Sequence, residues 1–194
     1  EVVPVSLSDD YGTVNIFMLP FLKPSHVRRF YPDDISTYSD AMQAAIRHMK
    51  IDPEDRNILI THQFVTGASP CDSEDITVGG SDNVDASVFA PFDYVALGHI
   101  HSPQNVGAET IRYCGTPLKY SFSEASQCKS VTVVELKEKG TVAVRTVPLV
   151  PKRDMAEIRG SYQEVTARDF YKDMNTTAYL HITLTDEEDV PDAI

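Results

Sequence analysis

Nowhere in the 194 residues do apolar side chains run on for the ~18 positions that a membrane-crossing helix requires, so no spanning segment is expected. The opening residues Glu1-Val2-Val3-Pro4 lack the basic flank and apolar stretch of a secretory leader, and an initiator methionine is missing. Cysteine is scarce too. Cys71, Cys114 and Cys128 are odd in number, widely spaced and without a C-x-x-C pair. That pattern excludes a zinc ribbon or a disulfide framework and predicts three unrelated structural thiols in a reducing, cytoplasmic setting. Positive charge is also short: 17 Lys and Arg stand against 29 Asp and Glu, a formal net charge of −12, and the longest basic cluster is Val27-Arg28-Arg29. Composition alone therefore argues against nucleic acid, because a chain that grips phosphates carries a basic stripe. Bound divalent metals would add local positive charge that such a count omits. Repeats and low-complexity tracts are absent as well.

What is present is the balance of a soluble globular protein, 42% hydrophobic and 24% charged, long enough for one or two domains and for a core without covalent staples. Val14–Pro20 reads as a buried strand stopped by proline, followed by a loop punctuated by Pro20, Pro24 and Pro32. Tyr38–Lys50 reads as a helix, with Ala41, Ala44, Ala45 and Met49 at helical spacing and Ser36 or Thr37 as its cap. Asn57–His62 and Asp93–His101 are apolar runs that end in histidine, and Thr66–Asp85 is a long polar loop. Strands are expected at Thr110–Cys114, Ser130–Leu136 and Thr141–Val147, the last two forming a hairpin through Lys139-Gly140. Pro148–Asp154 has a linker's composition. A strand near Met155–Ile158, a helix near Ala167–Met174 and a strand at Tyr179–Leu184 follow, and a further helix is expected to start at Val190–Ile194.

The chemistry concentrates in Gly98-His99-Ile100-His101. Side chains two apart on extended backbone share a face, with Cα atoms ~6.6 Å apart. Paired metals with a bridging ligand sit ~3.5–4 Å apart, so such a pair suits one imidazole on each ion. His62, at the end of another apolar run, adds a third candidate, since ligands gather beyond the carboxyl ends of strands. The same pattern also fits a surface turn. His26, His48 and His181 are assigned to surface or packing roles, and Asp72, Glu74, Asp75, Asp82 and Asp85 to a solvated loop face. A hydrolytic two-metal centre also needs a bridging carboxylate and further Asp, Asn or His ligands. The D-x-H, G-D and G-N-H-D strand ends that would supply them do not occur here.

Four segments, Ile60–Ala68, Val84–Phe89, Phe92–His101 and Ile111–Glu124, resemble the nuclease D-subunit family of bacterial SbcCD complexes, of the Gram-positive type, among the calcineurin-like metallophosphoesterases. The resemblance implies an α+β fold: a β-sandwich flanked by helices, lacking its N-terminal part, over residues 1–150, then a linker and a partial α/β capping domain over 151–194. It implies two divalent metals, manganese by preference, with His62 and His99 on one and His101 on the other, and catalytic residues encoded upstream of Glu1. The implied activity of the intact protein is ATP-dependent double-strand exonuclease and single-strand or hairpin endonuclease, used in DNA repair, replication and recombination. Implied partners are DNA, a coiled-coil ATPase subunit and a second copy of the chain. Arg112, Lys119 and Tyr120 become candidate DNA or dimer contacts. The chain is expected to be an internal piece, inactive by itself. The competing expectations are a small-molecule phosphatase or phosphodiesterase of the same superfamily, and a non-catalytic scaffold or dimerisation module.

Overall fold

The computed structural model describes residues 2–74 and 82–187. The helix expected at Val190–Ile194, and Asp75 of the polar loop, lie outside the described residues.

Twelve strands and four helices are described. β1 (Val5–Asp9) and β2 (Gly12–Leu19) form an antiparallel hairpin whose turn ends on Gly12 at φ 100°. After the single-turn α1 (Pro24–Val27), α2 runs over Tyr38–Arg47. Of the two candidate caps, Thr37 is the one used: its side chain accepts from Asp40 N–H while the Asp40 carboxylate accepts from Thr37 N–H. β3 (Arg56–His62) leads into the two-residue β4 (Phe64–Val65), which pairs with β5 (Asn83–Val84). Then come β6 (Tyr94–Gly98), β7 (Gln104–Val106) and β8 (Ala108–Tyr113). The hairpin β9 (Ser130–Leu136) and β10 (Val142–Pro148) forms where expected, turning at Gly140.

The main sheet has the order β1-β2-β3-β6-β8-β7. Its centre is parallel, with β2, β3, β6 and β8 running the same way, and its two outer pairs are antiparallel. The carboxyl ends of β3 and β6 therefore meet at one rim, where His62 is in register with Gly98. Alternation along the strands sends Phe17, Leu19, Leu59, Val95 and Leu97 to one face, which clusters with Met42, Ala45 and Ile46 of α2 and with Met49 just beyond it. On the other face Met18 and Ile60 remain 55% and 44% exposed. The β9–β10 hairpin reaches that face at two points. There the buried Arg56 donates to the carbonyls of Leu136 and Lys137, and Arg112 donates to Thr132 Oγ1.

β11 (Met155–Gly160), α3 (Tyr162–Thr166), α4 (Arg168–Tyr171) and β12 (Tyr179–Leu184) complete the described chain, with β11 and β12 parallel. The architecture is α+β: a mixed sheet with few helices. Among the described residues no helix is long and apolar enough to cross a membrane.

Candidate metal centre

Two strand ends bring His62 and His99 together, ring centroids 5.2 Å apart and nearly perpendicular. The approach depends on Gly98. A Cβ built there would lie 2.7 Å from His62 Nδ1, so the His62 ring occupies the space a side chain would take. The extended geometry expected for His99-Ile100-His101 is not kept. β6 ends at Gly98, and His99 sits at φ 104°, a region that disfavours side chains and costs ~1–3 kcal/mol. Contacts over-determine this residue: the Phe21 ring stacks on it at 6.1 Å and 17°, and Phe64 meets it at 6.2 Å. Phe21 also meets His62 edge-on at 6.4 Å.

Within this aromatic collar His99 Nε2 is buried and has no hydrogen-bond partner. Burial first, then the neighbouring His62 and His101, hold the His99 imidazole below the ordinary histidine range, against a weaker upward pull from Asp82 and Glu74. His99 is thus kept neutral, with a lone pair on one of its nitrogens, the form that binds a cation. Among the described residues no third histidine, cysteine or carboxylate joins His62 and His99 within a metal's reach.

His101 lies in a different setting. Its Nδ1 is 2.8 Å from Ser73 Oγ, and Ser73 Oγ donates to Glu124 Oε1 at 2.7 Å. Glu74 accepts His101 N–H through one oxygen and Cys71 N–H through the other. Lys129 Nζ donates to the His101 carbonyl at 2.9 Å and to Glu124 Oε2 at 2.5 Å. Glu124 is fully buried and Lys129 nearly so. Burial would raise the Glu124 carboxyl, but hydrogen bonds from Lys129 and Ser73, the Lys129 charge and Tyr120 N–H bring it down to about 2. Gly115, at φ 75°, lets the following loop pass over His101. A Cβ there would sit 2.6 Å from the His101 carbonyl oxygen, which also accepts from Thr116 N–H.

Cys71, Glu74 and His101 offer donor atoms that all lie within 4.8 Å of one another. Both Glu74 oxygens are already engaged by backbone N–H groups, and burial pushes the Cys71 thiol up. The group therefore orders the loop as it stands. This corrects the reading of the polar loop as a solvated face: Glu74 is half-buried on His101 and Asp82 is buried. All three cysteines are free thiols, but Cys71 is half-buried in this cluster whereas Cys114 and Cys128 are exposed. Ser73, Glu74 and Lys129 were not legible as site residues, because their contacts span 27–51 residues of chain with no local periodicity. Glu124 had one signal, its place at the end of the segment Ile111–Glu124.

The candidate contact residues divide. Lys119 Nζ is committed to the Ala125 carbonyl and to Asp154, and Arg112 to Asn105 and Thr132, whereas the Tyr120 ring is 60% exposed beside His101.

No family model matches the chain. The D subunit of nuclease SbcCD from Staphylococcus epidermidis is 35% identical to it over 193 residues, 97% of this chain and 50% of that protein. The chain is SbcD-like. It spans about half the length of this curated relative, and the aligned stretch takes in both strand ends that carry the histidines.

Proposed function

We propose that this chain supplies part of the dinuclear metal centre of an SbcD-type DNA nuclease, with His62 and His99 on one divalent cation and His101 on the other. The observation that carries the reading is the buried, unpartnered Nε2 of His99 beside the His62 ring, a polar atom that is costly to bury alone and that a cation would satisfy. Imidazole donors suit manganese, zinc or iron, and manganese is our choice. Bound cations would supply Lewis-acid stabilisation of the charge that builds on a phosphodiester and would lower the pKa of an attacking water. The chain's own residues hold the site. Gly98 leaves room for the His62 ring, Phe21 and Phe64 shield His99 from water, and the loop around Glu74, Glu124 and Lys129 fixes the His101 backbone.

The sandwich belongs to the same reading. The Met18–Ile60 side of the sheet is apolar and only partly met by the β9–β10 hairpin, which supports a second sheet completed elsewhere in the longer protein. Residues 1–150 then form the nuclease-domain part, and the parallel β11–α3–α4–β12 unit, within 151–194, begins the cap. DNA as substrate, exo- and endonucleolytic action in repair, replication and recombination, a coiled-coil ATPase partner, a homodimer and a cytoplasmic location complete the proposal. Because His62 and His99 lack a third such ligand among the described residues, we expect this chain alone to hydrolyse nothing.

The deciding experiment uses the full-length protein with Mn2+ and compares a DNA hairpin with a small phosphodiester. Cleavage of the hairpin, abolished by His99→Ala and by His101→Ala in soluble, folded variants, is expected. Full activity in either variant would overturn the assignment.

A further inference from the structure

We propose that Ser73 and Glu124 form a positioning relay that holds the His101 imidazole with its proton on Nδ1, leaving Nε2 as the lone-pair atom. The inference deepens the metal reading above and gives roles to Ser73, which lies outside every motif segment, and to Glu124, which ends one of them.

Glu124 is a fully buried carboxylate whose partners are all donors: Lys129 Nζ on Oε2, and Ser73 Oγ and Tyr120 N–H on Oε1. An ionised carboxylate only accepts, so the single Ser73 hydroxyl hydrogen is committed to it. Ser73 Oγ then has two lone pairs left. Two neighbours face them, His101 Nδ1 at 2.8 Å and Cys71 Sγ at 3.1 Å, and each must therefore donate. His101 consequently carries N–H at Nδ1. In the neutral ring the other nitrogen is then the ligand atom, the arrangement by which an outer partner orients a metal-binding histidine. The rest of the residue is held as firmly. Glu74 takes its N–H, Lys129 and Thr116 donate to its carbonyl, and the Tyr120 ring stands edge-on at 5.7 Å. Lys129 thereby serves both ends of the relay, the His101 backbone and the carboxylate that ends the chain of bonds.

The two neighbouring histidines differ in this respect. His99 owes its place to an aromatic collar and has no polar partner on Nε2, whereas His101 is oriented by hydrogen bonds. Ser73 touches no reacting atom in this account; it acts through His101.

The tautomer is read directly from long-range 1H–15N spectra of the metal-free chain, recorded well above the ordinary histidine range. The native chain is expected to show His101 protonated at Nδ1, Ser73→Ala to lose that preference, and Ser73→Thr, which keeps the hydroxyl, to retain it. An Nε2-protonated His101 in the native chain overturns the proposal, and so does an unchanged tautomer in Ser73→Ala. The native spectrum decides the matter even if a variant fails to fold. A parallel Mn2+ titration of the full-length protein, followed by broadening of the His101 ring signals, is expected to show ~10–100-fold weaker binding in Ser73→Ala. A native His101 that Mn2+ leaves sharp strikes the ligand assignment under Proposed function, while the tautomer result stands or falls separately.

Discussion

Gly98 matters for what it omits. With a Cβ 2.7 Å from His62 Nδ1, Gly98→Ala must push the imidazole away or bend the rim of two parallel strands. Overpacking of this kind costs ~1–3 kcal/mol, so a urea midpoint lower than native is expected, together with loss of the His62–His99 ring contact in nuclear Overhauser spectra. An unchanged midpoint and contact would show that the ring does not lie across Gly98. Tyr113 is the second residue with an outsized role. Its hydroxyl is buried, donates to the Gln63 carbonyl at 2.6 Å and accepts from Val65 N–H at 2.9 Å, pinning the turn just after His62. Burial pushes the phenol's pKa far up, so it stays neutral. Tyr113→Phe leaves both backbone groups without their partner and is expected to cost ~1–3 kcal/mol by equilibrium denaturation; a loss below the error of the measurement would show that water replaces the hydroxyl.

At the scale of elements, legibility followed burial. Segments with a buried apolar face, such as β3 and α2, were readable to within a residue or a turn, because the period of their pattern equals the period of the backbone. β1 has five exposed residues and β7 only three residues in all, so neither carries a burial pattern to read. α3 is a five-residue helix whose one signal is the box between Ser161 and Glu164. The histidine pair departs from the extended spacing that its sequence predicts, since the chain leaves β6 at Gly98. The Glu124–Lys129 ion pair between neighbouring segments yields a pH test. Its folded pKa of about 2 lies below the ordinary 4.5, so the unfolded chain binds a proton more readily. The stabilisation is therefore complete above about pH 4.5 and lost as pH falls through that value toward 2. Glu124→Gln should remove that part of the acid dependence in denaturation curves taken over this window, and a slope identical to native would mean the carboxylate is not ionised in the fold.

For the whole molecule, the junction near Val150 is the place to probe. Val150 is 92% exposed, Lys152 and Arg153 are exposed beside it, and the Lys119–Asp154 ion pair bridges the junction at 2.8 Å. Limited trypsin digestion is expected to cut after Lys152 or Arg153 and to leave the preceding residues as a resistant product. Uniform degradation, or resistance at that point, would argue against a boundary there.

From its residues alone the chain determined its class and the identity of its candidate ligands. Apolar runs ending in histidine and the absence of a membrane span or cysteine framework are properties of local order, and local order survives in a string. Tertiary structure alone decided the neighbourhood of those ligands: that His62 lies on Gly98 and against His99, and that Ser73, Glu124 and Lys129 converge on His101. Such contacts join positions dozens of residues apart, and only the register of parallel strands and the closing of loops over their ends brings them within bonding distance.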